Sequence, residues 1–151
     1  MRHRFENHDL VTEHASQLID VTDDVLEVVA RSAVRNGMVL VYSPHTTCAV
    51  VINELEDGFA EDFAELLAEV APAQGRYYRH DDLSIRTQGI EDETAEHPNG
   101  HSHVRAGIIS SSSQTIPIVD GRLMLGTWQR IFFCELDRSR ARKVFIQVIG
   151  E

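Results

Sequence analysis

The dipeptide Asp120-Gly121 stands between two β-favouring runs, Thr115-Ile116-Pro117-Ile118-Val119 and Arg122-Leu123-Met124-Leu125. A two-residue turn of this composition tolerates the positive φ angles that a tight hairpin needs, so it commits the flanking runs to antiparallel pairing. Two further apolar runs, Trp128 to Leu136 and Lys143 to Ile149, surround a charged turn at Asp137 to Arg142. The C-terminal half therefore reads as mainly antiparallel sheet.

The first half mixes strands with helices. Residues from Phe5 to Val21 read as one or two strands. Thr22-Asp23-Asp24 then offers a cap and first-turn acids, Val25, Val28, Val29 and Ala33 follow, and Asn36-Gly37 closes the helix. Met38 to Tyr42 and Cys48 to Ile52 are short strands on either side of Pro44-His45-Thr46-Thr47. A second helix is expected over roughly 57–70, where Phe59, Phe63, Leu66, Leu67 and Val70 recur at helical spacing opposite an acidic face. Residues 72–100 are polar and rich in turn formers, and a loop of that length inside a small domain generally covers or builds a site. With 151 residues, the chain makes one domain over 1–151, an α+β fold of mainly antiparallel sheet with two main helices packed on it.

The formal charge of -10 disfavours surfaces that bind nucleic acid or acidic membranes, yet leaves room for a small basic pocket that takes one phosphate ester. Cys48 and Cys134 lie in apolar runs without CxxC spacing, so buried thiols are expected rather than a zinc ribbon or redox pair. Met1 to Glu6 becomes charged at once and no run of about 18 apolar residues occurs, which points to a cytoplasmic protein.

Chemistry concentrates on histidine. His101-Ser102-His103 precedes the apolar run Val104 to Ile109; if that run is a strand, both imidazoles share one face. Such a pair suits metal binding or proton transfer, although a solvated or backbone-bonded pair is an equally ordinary outcome. His45 follows Pro44 at a strand end, and His80 stands beside Asp81, a carboxylate able to orient one ring nitrogen. His45, His80 and His103, with His101 as competitor, could supply the three protein ligands of an open metal site. Asn53-Glu54 adds an amide and a candidate general base. Glu135 ends an apolar strand where a buried charge requires a partner, for which Arg140 and Arg142 compete. Thr46, Thr47, Thr127 and Ser110 to Ser113 are hydroxyl donors for an anion, with Arg105 and Arg122 near in sequence, but no P-loop or GxGxxG is present.

Three blocks carry a resemblance: Pro44-His45-Thr46-Thr47-Cys48 through Asn53-Glu54, His101-Ser102-His103-Val104-Arg105-Ala106, and Gly121 through Leu125-Gly126-Thr127-Trp128-Gln129. With Glu135 and the terminal Val148-Ile149-Gly150-Glu151 they resemble the YjbQ family over nearly the whole chain. The resemblance implies a small α+β domain assembled as a homotrimer and a secondary thiamine-phosphate synthase activity, joining an aminopyrimidine diphosphate to a thiazole phosphate. It implies His45, His80 and His103 as ligands of a divalent metal ion, zinc or magnesium, and so favours His103 over His101. Glu54, Glu135 and Arg140 become the candidate catalytic groups, and Thr46, Thr47, Asn53 and Thr127 the cofactor-binding ones. The chain departs from the family where Arg138 follows Asp137, a place where members commonly have glycine. The competing expectations are a non-catalytic metal- or small-molecule-binding module and a structural homo-oligomer.

Overall fold

A computed structural model describes all 151 residues. In chain order the elements are β1 (Arg2–Val11), β2 (Gln17–Asp20), α1 (Thr22–Ser32), β3 (Gly37–Tyr42), β4 (Cys48–Glu54), α2 (Asp57–Val70), α3 (Gly100–Ile109), β5 (Ser113–Val119), β6 (Arg122–Leu123), β7 (Gln129–Glu135) and β8 (Ala141–Gly150). Short 3₁₀ turns at Arg79–Asp81 and Glu93–Ala95 interrupt the polar stretch before α3.

The strands form two antiparallel sheets rather than one, a five-stranded sheet in the order β1-β8-β3-β5-β6 and a three-stranded sheet in the order β2-β7-β4. Alternation along the strands explains the split. Val39, Val41, Ile116, Ile118, Val144, Ile146 and Val148 of the larger sheet meet Cys48, Val50, Ile131 and Phe133 of the smaller one, and α1 closes this core with Val25, Val28 and Val29. On its other face the smaller sheet presents Ala49, Cys134 and Leu136 to Phe63 and Leu67 of α2 and Ala106 and Ile109 of α3. The outer face of the larger sheet is left bare, with Phe5 and Tyr42 packed against Phe145. The hairpin at Asp120-Gly121 forms as its sequence dictates: φ is 50° at Asp120 and 78° at Gly121.

One expectation fails in an instructive way. Residues 104–109 are not a strand but part of α3, so the helices number three. The buried positions of α3 are Gly100, His101, Ser102 and Arg105, with Ala106 and Ile109 half-buried, whereas Val104 and Ile108 face out. Burial follows helical spacing while hydrophobicity does not, and a reading based on apolar periodicity misses such a helix. On a helix, residues two apart point to nearly opposite sides, so His101 and His103 do not share a face.

Phe133 is wholly buried between the sheets. Phe133→Ala is expected to cost about 3–5 kcal/mol in urea unfolding; a loss below about 1 kcal/mol would mean that the two sheets do not share this core.

Candidate functional site

The polar stretch after α2 folds back over α3 and is held there by two groups. Asp81 Oδ1 accepts from the backbone N–H of Asn99 at 2.9 Å and of Gly100 at 2.8 Å, capping α3 from another segment of the chain. Asp81 thus anchors the turn that carries His80 and is engaged with backbone, not with the His80 ring. Gly100 is required by this approach, since a Cβ there would lie 2.6 Å from Tyr78 Cβ. Arg86 supplies the second anchor, donating to the carbonyls of His80 (3.1 Å), Gln88 (3.1 Å) and Gly89 (3.1 Å) and to Glu96 at 2.9 Å.

These contacts bring His80 against His103, with ring centroids 4.4 Å apart at an interplanar angle of 50°. The pair opens into a cavity of about 230 Å³ whose walls include Arg86, Glu96, Asn99, Arg138 and Arg140. Three guanidinium groups and three imidazoles, those of His80, His97 and His103, face one carboxylate, and Glu96 is already paired with Arg86. In a chain of charge -10 this is a local positive patch suited to an anion. Burial, then the neighbouring His80, pushes the His103 pKa down, so its imidazole is neutral and free to accept a proton or bind a metal.

Behind the cavity lies the strongest polar contact in the core. Glu135 is wholly buried and receives Arg142 in a two-point fork, Nε to Oε2 at 2.6 Å and Nη2 to Oε1 at 2.7 Å. Thr12 Oγ1 donates to Oε2 at 3.0 Å and the Asp137 backbone N–H to Oε1 at 2.9 Å. Arg142 also donates to Thr47 Oγ1 at 3.1 Å. Arg142, not Arg140, is therefore the partner of Glu135, and both the carboxylate and the Thr47 hydroxyl are engaged in holding it. Arg140 instead donates from Nη1 to Asp137 Oδ2 at 3.2 Å and reaches the cavity. Cys48 lies 3.9 Å from both Glu135 oxygens, and burial followed by that carboxylate raises its thiol pKa to about 12. Both cysteines are buried free thiols, and neither is a nucleophile at neutral pH.

The other candidates lie apart. His45 Nε2 accepts from the Lys143 backbone N–H at 2.9 Å, and its ring packs edge-on against Phe133 at 6.4 Å. Burial, then the Arg142 charge, keeps it neutral. No three His, Cys, Asp or Glu side chains converge within one chain to hold a metal ion, and His45 does not join the His80–His103 pair. His101 is buried, with Nε2 3.1 Å from Ser102 Oγ. Asn53, Glu54 and Thr127 are exposed at the opposite end of β4 and β7, and Thr46 is exposed beside His45. Arg86, Glu96, His97 and Asn99 join the site without having been singled out in the sequence, and Arg138 stood out there only as the departure after Asp137; the only signal was arginine placed within or just beyond acidic turns.

The YjbQ-like UPF0047 family model matches residues 6–151. The chain belongs to this family. A UPF0047 protein of Archaeoglobus fulgidus is 39% identical over 140 residues, covering 93% of this chain and 97% of that protein. The UPF0047 protein YugU of Bacillus subtilis is 32% identical over 140 residues, covering 92% and 94%. Among solved structures, a hypothetical protein of Aeropyrum pernix K1 superposes with TM-score 0.82 at 37% identity over 98% of this chain and 99% of the other. A YjbQ-like protein of unknown function from Sulfolobus solfataricus gives 0.79 at 30% identity, covering 99% of both. The α+β fold of this UPF0047 chain is thus that of its family. No helix is long and apolar enough to cross a membrane.

Two outcomes follow for the UPF0047 scaffold. Glu135→Gln leaves the buried Arg142 without its counter-charge and is expected to destabilise by about 3–5 kcal/mol; a loss under about 1 kcal/mol in denaturant unfolding would show the pair to be dispensable. Separately, His45, His101 and His103 all have folded pKa values below the usual 6.5, chiefly through burial. The unfolded chain then binds more protons than the folded one, so stability is present above this value and falls as pH is lowered through it. Glu6, held down to about 2 by hydrogen bonds from Arg31 and then Arg4, acts only in a lower window, below its usual 4.5. The melting temperature is expected to drop between pH 7 and pH 5, with a shallower drop in His101→Asn; a flat profile would contradict neutral buried imidazoles.

Proposed function

We propose that this UPF0047 protein is a phosphate-ester enzyme with thiamine-phosphate synthase activity, whose reacting groups gather in the His80–His103 cavity. The observation that carries the reading is the meeting of two imidazoles with Arg86, Arg138 and Arg140 in one cavity. In the proposed reaction the thiazole nitrogen attacks the exocyclic methylene of the aminopyrimidine diphosphate. A C–N bond forms, the C–O bond breaks, and pyrophosphate leaves with the electron pair. Arg138 and Arg140, projecting from the loop after β7, are suited to take the growing negative charge on that leaving group. His103, neutral at pH 7, is suited to donate a ring N–H hydrogen bond to the departing pyrophosphate, and Arg86 keeps His80 beside it.

Two imidazoles fit part of a divalent metal site, with zinc better matched to imidazole than magnesium. When bound, such an ion would polarise the phosphate oxygens. His80 and His103 would hold it, while His45 is placed to order Lys143 and the start of β8 rather than to ligate. The homotrimer belongs to the same reading, with the bare apolar face of the five-stranded sheet as one surface that assembly would cover. A binding module without turnover is the second reading, favoured by the full engagement of Glu135 and the pairing of Glu96, which leave no free carboxylate base in the cavity.

The decisive assay combines the two substrates with purified protein, with and without zinc or magnesium, and measures thiamine phosphate and pyrophosphate. His103→Ala is expected to lower turnover by about 100-fold or more, in line with loss of one hydrogen-bond donor to the charge developing on the leaving group, while the fold is kept. Pyrophosphate binding by the native protein with no turnover under any metal condition would establish the module instead.

A further inference from the structure

The register of β4 on β7 pairs Cys48 with Glu135 and Glu54 with Gln129. Six residues separate these pairs, so the two ends of the strands stand about 20 Å apart. At the first end lie the cavity and Arg138. At the second lie Glu54, Leu55 and Trp128, of which Leu55 is 65% and Trp128 71% exposed. An indole that open to water, next to an exposed leucine and a carboxylate, is an unpaired anchor of the kind found at the centre of protein interfaces. The second end is acidic, with Glu54, Glu56 and Asp57 in four residues; the arginine at this end, Arg130, opposite Asn53, is already paired with Asp20 and Asp23. The first end is basic. One chain therefore carries two complementary surfaces at opposite ends, and the only carboxylate in the cavity of that chain, Glu96, is tied up by Arg86, which leaves the His80–His103 pair without a free carboxylate to complete a ligand or proton-transfer set.

Taking the His80–His103 cavity as the site, an assignment on which this step rests, we propose that the site is completed by a second copy of the chain, which sets Glu54 and Trp128 over the cavity mouth. The contact joins unlike ends, so a repeat whose rotation closes forms a ring in which every copy holds one complete site. Glu54 brings the missing carboxylate beside His103, placed to ligate a cation or to accept a hydrogen bond from the amino group of a heteroaromatic substrate. Trp128 supplies a flat apolar wall for the ring of that substrate. Arg138 faces the incoming acids and sets the direction of docking.

Trp128 is the only tryptophan in the protein and so reports on its own burial. In the assembled native protein its emission is expected to be blue-shifted and several-fold less quenched by acrylamide than in Arg138→Glu, which sedimentation should show as a smaller species. Combining Glu54→Arg with Arg138→Glu re-creates the charge match and should restore both native mass and shielding. Inorganic pyrophosphate should perturb Trp128 emission in native protein but not in His103→Ala, although the cavity of the same chain lies too far away to touch the indole. Solvent-exposed emission from Trp128 in native protein, whether that protein sediments as an assembly or as a single chain, overturns the proposal. So does a double variant that stays folded by circular dichroism yet does not regain native mass. These readouts are independent of turnover: shielded Trp128 without synthase activity keeps the shared site and removes the synthase, and turnover with exposed Trp128 does the reverse.

Discussion

The Arg142–Glu135 ion pair is the contact on which the rest depends. It joins β7 to β8, while Thr12 attaches the end of β1 and Thr47 the loop before β4, so four segments distant in sequence share one buried fork. Burying two charges is costly unless every donor and lone pair is used, and here the carboxylate takes four hydrogen bonds. The Asp137 backbone N–H is one of them, which fixes the loop that projects Arg138 and Arg140 into the cavity. The pair thus transmits order from the core of the fold to the basic rim of the site.

A second restraint acts from the opposite side. Asp81 caps α3, Gly100 lets Tyr78 come within contact, and Arg86 gathers the carbonyls of the polar stretch. Neither restraint alone sets the distance between His103 and the arginines. The site exists where the loop after β7 and the stretch before α3 meet, and burial at that seam pushes the His103 pKa down.

Much of the fold was legible because its signals are local. Asp120-Gly121 takes the positive φ values its composition allows, and the apolar spacing of Phe59, Phe63 and Leu67 places α2 at 57–70. The helix α3 was hidden because it buries His101, Ser102 and Arg105 and exposes Val104 and Ile108, the reverse of what periodicity expects. That one reversal also broke the apparent equivalence of His101 and His103. For the site, His80 and His103 were visible as residue types, but their contact depends on Asp81 reaching the Asn99 and Gly100 backbone across 18 and 19 residues, a relation no local pattern encodes. Glu135 was recognisable as a buried charge, and geometry decided between Arg140 and Arg142 as its partner.

The most direct test of the central claim is a crystal structure of the protein with inorganic pyrophosphate and zinc, using anomalous scattering to locate the metal. The account predicts the anion on Arg138 and Arg140 with a nitrogen of His103 within bonding distance of the metal or of the anion. Anion and metal bound elsewhere, with the His80–His103 cavity holding only solvent at saturating concentrations, would contradict it.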